Sequence, residues 1–124
     1  RGALSAMAEG ARATAKFDGG SVRAALLRSN GQLKHADPSA FIVQLFASTE
    51  VSAAWQKYRF LQQHQQRQVL LLRSHQGQQT WYKVMVGFDK TYGEALRRAQ
   101  RLETVQTAFK GWVRPVQRVA AELP

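Results

Sequence analysis

The sequence predicts an α+β domain in which a four-stranded antiparallel sheet, built in the order βαββαβ, carries two helices on one face and leaves the other face open for a ligand. Three observations carry that expectation. Residues 41–47 form a β-branched and aromatic run with one glutamine, Gln44, at its centre. Residues 81–88 alternate, with Tyr82, Val84, Val86 and Phe88 on one side and Trp81, Lys83 and Met85 on the other. A strand leading through a hydroxyl into an apolar-striped helix occurs twice at a 42-residue offset, so that Phe46, Thr49 and Ala53 are echoed by Phe88, Thr91 and Ala95.

Composition narrows the class further. A chain of 124 residues that is 44% hydrophobic supports one core. It has no cysteine, which removes disulfides, thiolate catalysis and cysteine-based zinc sites together. No apolar run approaches the roughly 20 residues that span a bilayer, and no signal-peptide pattern opens the chain. Because it begins at Arg1 rather than Met, it is expected to be cut from a longer protein that carries the membrane anchor. The formal charge of +10 predicts attraction to a polyanion. Residues 39–124 hold twelve basic and five acidic groups against six and three in residues 1–38, so the domain itself is basic.

Taken in order, residues 1–39 are rich in Ala, Gly and Ser and are broken by Gly19-Gly20, Asn30-Gly31 and Asp37-Pro38. Residues 3–15 and 21–28 are candidate short helices, the second with Ser21 as N-cap, but neither has the large apolar residues to hold a core. The segment therefore reads as a linker or partly helical N-terminal extension, with residues 1–36 expected to be dispensable for ligand binding, ahead of a domain at 40–122.

In the first strand Phe41, Val43, Leu45 and Ala47 share one face and Ile42, Gln44 and Phe46 the other. Ser48 and Thr49 supply cap hydroxyls, and Val51, Ala54, Trp55, Tyr58 and Leu61 make the stripe of a helix over 49–64 that the polar run 62–67 ends. Residues 69–72 form a second buried strand, joined by a turn around Gly77 to the strand at 81–88 as a hairpin. Thr91-x-x-Glu94 is a capping box, after which Tyr92, Ala95, Leu96, Ala99 and Leu102 form a stripe and Arg97, Arg98 and Arg101 face solvent. Residues 112–116 are short and hold Pro115, which suits an edge strand.

This alternation gathers Ile42, Gln44, Phe46, Trp81, Lys83, Met85 and Trp112 on the open face, an apolar and aromatic patch of the kind that marks a binding site.

The pattern of residues 41–48, the helix, the strand 81–88 with Gly87-Phe88, and the ending Gly111-Trp112-Val-Arg114-Pro115 resembles the SPOR domain, a peptidoglycan-binding module of bacterial division proteins, over about residues 40–122. The ending is similar to the DamX branch of that family in particular. The resemblance implies a sheet platform that binds glycan strands denuded of stem peptides and brings its host, alongside other divisome proteins, to the periplasmic side of the septum. It also implies binding roles for Gln44, Trp81 and Trp112. Where the branch places a serine three residues after the glutamine, this chain has Ala47, followed by Ser48.

The residue chemistry suits such a ligand. Aromatic rings lie on the apolar faces of sugars, and an amide both donates and accepts hydrogen bonds. Removal of a stem peptide leaves a lactyl carboxylate on each muramic acid, which Lys83, Arg73 and Arg114 are placed to meet. The rival reading is an RNP-like single-stranded RNA-binding domain of the RRM type, which shares the element order, basic charge and sheet aromatics. Residues 81–88 lack its third-strand signature, so nucleic acid is not the expected partner.

An enzyme has little support. Glycan hydrolysis needs two convergent carboxylates, yet Glu94 caps a helix, Asp89 just precedes that cap and Glu50 opens the first helix. His35, His64 and His75 have no metal-ligand spacing, and no cofactor motif is present, so neither metal nor cofactor is expected.

Overall fold

In the computed structural model residues 17–64 and 68–124 are described, so the candidate helix at 3–15 and part of the polar run 62–67 lie outside them. The elements are α1 (Gly19–His35), β1 (Phe41–Ser48), α2 (Val51–His64), β2 (Gln68–Gln76), β3 (Gln79–Asp89), α3 (Tyr92–Glu103), β4 (Trp112–Pro115) and α4 (Val116–Ala121). The strands lie in the order β2-β3-β1-β4 with every neighbouring pair antiparallel, which is the expected α+β sheet with β4 at an edge. Gly77 turns the β2–β3 hairpin at φ +62, a backbone conformation that glycine adopts without a Cβ penalty.

The stripe read for α2 is the buried one: Ala54, Trp55, Tyr58 and Leu61 pack onto Val43, Leu45, Val69, Leu71, Val84 and Val86 of the sheet. In α3 the capping box is present, with the Glu94 N–H donating to the Thr91 hydroxyl oxygen at 3.1 Å, and Ala95, Ala99 and Leu102 face the same core. Two residues depart from the expected stripe. Tyr92 and Leu96 are exposed, whereas Arg98 is buried and donates two hydrogen bonds of 2.8 Å to the Asp89 carboxylate that ends β3. That bidentate bond holds the Arg98 guanidinium more firmly charged than usual and compensates its desolvation. Gly111 admits α3 closely against the approach to β4, because a Cβ there would stand 2.6 Å from the Ala99 Cβ.

Alternation fails at two bulges. Gln44 pairs with Met85 and Phe46 with Val84, so Leu45 is an extra residue on β1, and Phe41 pairs with Asp89 but Ile42 with Gly87, so Phe88 is an extra residue on β3. An inserted residue reverses the parity of everything beyond it. Phe46 therefore sits on the helix side, packed against that core with Lys57 Nζ 5.7 Å from its ring centroid, while Phe88 packs against the opposite face. The two phenylalanines that echo one another in sequence lie on different faces.

The second face is not left open. A second core forms there from Ile42, Leu70, Leu72 and Met85 under Val116 and Val119 of α4, with Leu33 and Ala40 beside them. The expected open face is corrected to a largely covered one. The backbone N–H of Val116 donates to Ala40 O at 3.0 Å, which extends the β1–β4 ladder to the first residue of α4.

Helix α1 occupies residues expected to be a tether. Its N-cap is Asp18, whose side chain accepts the Ser21 N–H, and the helix runs on through Asn30-Gly31. Val22 and Ala25 near its start join the helix-side core and Leu33 near its end joins the second one, so α1 crosses the free edge of β2. At the crossing the Ser29 hydroxyl oxygen accepts the Leu71 N–H at 2.9 Å. Covering an edge in this way removes a site of unwanted strand pairing.

Candidate functional site

What remains of the second face after α4 is in place is its end near the close of β1 and the start of β3. Register sets the layout. Trp112 of β4 lies directly opposite Gln44 of β1, which is opposite Met85 of β3. Beyond the Leu45 bulge, Ala47 pairs with Lys83, and Trp81 pairs with Ser74 of β2. Cross-strand partners point to the same side of a sheet, so Gln44, Ala47, Trp81, Lys83, Trp112 and Arg114 share this face.

Their exposures differ sharply. Trp112 is 56% exposed, Gln44, Ala47 and Trp81 are half-buried, and Lys83 and Arg114 are buried. Arg114 ties the group together: its guanidinium carbon lies 4.4 Å from the Trp112 ring centroid and its Nη1 donates to Gln44 Oε1 at 3.1 Å. A guanidinium on the face of an indole is a favourable cation–π arrangement and fixes the ring. The geometry offers an exposed indole face, a half-buried amide and two cations beneath them.

Those cations have a partner that sequence reasoning missed. Glu122, just past α4, accepts from Lys83 Nζ at 3.2 Å and from Arg114 Nη1 at 2.9 Å through Oε1, and from Arg114 Nη2 through Oε2. The Arg114 hydrogen bond, followed by that of Lys83, holds the Glu122 carboxyl below its ordinary value against the opposing effect of burial. A signal for α4 was present: Val116, Val119, Ala120 and Leu123 fall at the i, i+3, i+4, i+7 spacing of an amphipathic turn.

The structure separates the expected site residues into three groups. Gln44, Trp81 and Trp112 share one face, with Trp112 directly opposite Gln44, Trp81 further along β3, and Lys83 and Arg114 buried on the same face. Ile42 and Met85 lie on that face but are 0% exposed beneath α4, so they are core residues rather than contacts. Phe46, Ser48 and Arg73 fall on the helix side: Phe46 pairs with Val84, while Ser48 and Arg73 each pair with the core-packed Tyr82. The Ser48 hydroxyl accepts the Glu50 N–H at 3.0 Å at the entrance to α2, so it serves the chain there and not the Gln44 face.

Among the described residues no group of three or more His, Cys, Asp or Glu is arranged to hold a metal ion, and no helix is long and apolar enough to cross a membrane. Asp89 is committed to Arg98 and Glu94 to its capping box.

Residues 37–115, from the turn before β1 to the end of β4, match the SPOR domain family. The search of curated proteins and the search of solved structures each return no match.

Proposed function

The chain belongs to the SPOR domain family, whose domains bind peptidoglycan and act at the division septum, and from that premise we propose that it is a non-catalytic module holding denuded glycan strands against Gln44, Trp81 and Trp112. The observation that carries this reading is the Trp112 indole, 56% exposed and directly opposite Gln44. A large ring left in water beside an amide is suited to a sugar: the ring takes the apolar face and the amide takes hydroxyl or acetamido groups.

Denuded strands are preferred because loss of the stem peptide bares the lactyl carboxylate, and the +10 charge draws that polyanion in. The domain is of the DamX type, with its glycan contacts all within residues 40–122 and α1 completing the fold that presents them. It works in the periplasm, tethered to the inner membrane by other parts of its host and set among divisome proteins.

The test is co-sedimentation with intact and with amidase-treated sacculi, using single-stranded RNA as competitor. Stronger sedimentation with treated sacculi, unaffected by RNA, is the expected result. Equal sedimentation with both overturns the denuded-strand preference, and loss of binding to RNA overturns the glycan reading itself.

A further inference from the structure

Lys83 and Arg114 are an unusual pair of cations to find on a binding face, because their side chains are only 7% exposed. Glu122 is the accessible member of the cluster at 35%. Two cations share one carboxylate, so the cluster keeps a residual positive charge, and its one anion is carried by a short C-terminal element. Helix α4 spans six residues, and its N-cap Pro115 makes no side-chain cap hydrogen bond. A helix so short has little stability of its own, so its hold on the sheet rests on Val116, Val119 and the Glu122 contacts.

Resting on the glycan reading above, we propose that Lys83 and Arg114 form a carboxylate subsite for the lactyl group of a denuded muramic acid, occupied in the free domain by the chain's own Glu122. The incoming carboxylate displaces that of Glu122. The exchange is favourable in kind because one carboxylate replaces another and the buried cations are never left unpaired, which is the state that costs most. Arg114 makes the exchange felt at the sugar contacts, since the Nη1 that holds Glu122 Oε1 at 2.9 Å also holds Gln44 Oε1 at 3.1 Å, and the same guanidinium lies on Trp112. Glu122 thereby sets specificity: a strand whose lactyl group still carries a peptide has no free carboxylate there and does not displace it.

The experiment titrates the protein with N-acetylmuramic acid, and with N-acetylglucosamine as the neutral sugar, while the Arg114 Nε–H and Trp112 indole N–H signals are followed by NMR. Muramic acid is expected to move both signals and glucosamine only the indole. The Glu122→Gln variant is expected to bind muramic acid about tenfold more tightly, as when the competent state of the wild type is about one-tenth populated. Identical responses to the two sugars, or unchanged or weaker binding by Glu122→Gln, overturn the proposal. Should that variant fold poorly, hydrogen exchange on the wild type decides: saturation with muramic acid is expected to speed exchange at the amides of residues 119–123, and unchanged or slower exchange overturns the proposal. Sedimentation with amidase-treated sacculi separates this from the parent reading. Wild type that sediments without releasing Glu122 sinks only the subsite. Muramic acid that releases Glu122 in a protein that does not sediment sinks only the denuded-strand function.

Discussion

The Ser29 hydroxyl accepts the Leu71 N–H at 2.9 Å, joining the middle of α1 to the edge strand β2 with both residues fully buried. Helix α1 is therefore part of the folded unit. It satisfies an edge N–H that water does not reach and supplies apolar residues to both cores.

Replacing Ser29 with Ala leaves the buried Leu71 N–H without an acceptor, and a stability loss of about 1–3 kcal/mol is expected in urea denaturation. Deleting residues 1–36 removes Val22, Ala25 and Leu33 as well and bares the β2 edge, so the shortened chain is expected to melt many degrees lower and to aggregate. A deletion variant that melts like the full chain would return α1 to the status of a tether.

Trp112→Ala tests the sugar platform. The ring is 56% exposed, so its loss opens no cavity and the melting temperature is expected to change little. Binding to amidase-treated sacculi is expected to fall by about 2 kcal/mol or more, roughly thirtyfold, as for an aromatic anchor at the centre of an interface. Gln44→Ala is expected to act in the same direction, since it removes the amide and frees one Arg114 hydrogen bond.

Ile42→Ala gives the contrasting pattern. Ile42 shares the sheet face with Gln44 but is 0% exposed beneath Val116 and Val119, so truncation is expected to cost about 2–5 kcal/mol of stability. Glycan affinity per folded molecule is expected to stay near that of the wild type. Denaturation curves read beside sedimentation of the folded fraction distinguish the two cases.

Acid should loosen the C-terminal helix. The Glu122 carboxyl is held below its ordinary value of 4.5, so an unfolded chain takes up the proton first as pH falls. Its stabilising contribution is then present above 4.5 and is lost as pH drops through the lower, folded value. The melting-temperature difference between wild type and Glu122→Gln is expected to be steady above that pH and to close below it. Asp18 and Asp37, also held low, by the backbone N–H of Ser21 and of Ser39 respectively, are common to both proteins and cancel in the difference.

By itself the sequence determined the four strands, helices α2 and α3, and their order. The stripe of Ala54, Trp55, Tyr58 and Leu61, the Thr91/Glu94 capping box, the Gly77 turn and the Pro115 edge strand are local signals, written within one or two turns of the chain. That Gln44, Trp81 and Trp112 share one sheet face was also legible, because no bulge separates Gln44 from Trp112 in the β1–β4 register or Trp81 from Met85 along β3. Only the tertiary structure decided which face each remaining residue took and which part of the sheet stayed uncovered. A single extra residue at Leu45 reverses the parity of Phe46 and Ser48, and nothing local marks where a bulge must fall. The apolar spacings that put α1 across the β2 edge and α4 over Ile42 and Met85 are present in the chain, but they do not say which part of the sheet each helix covers. The two helices become core because the sheet presents an unpaired edge and an apolar face that would otherwise stand in water, and burying those is worth more than the helices' own propensities.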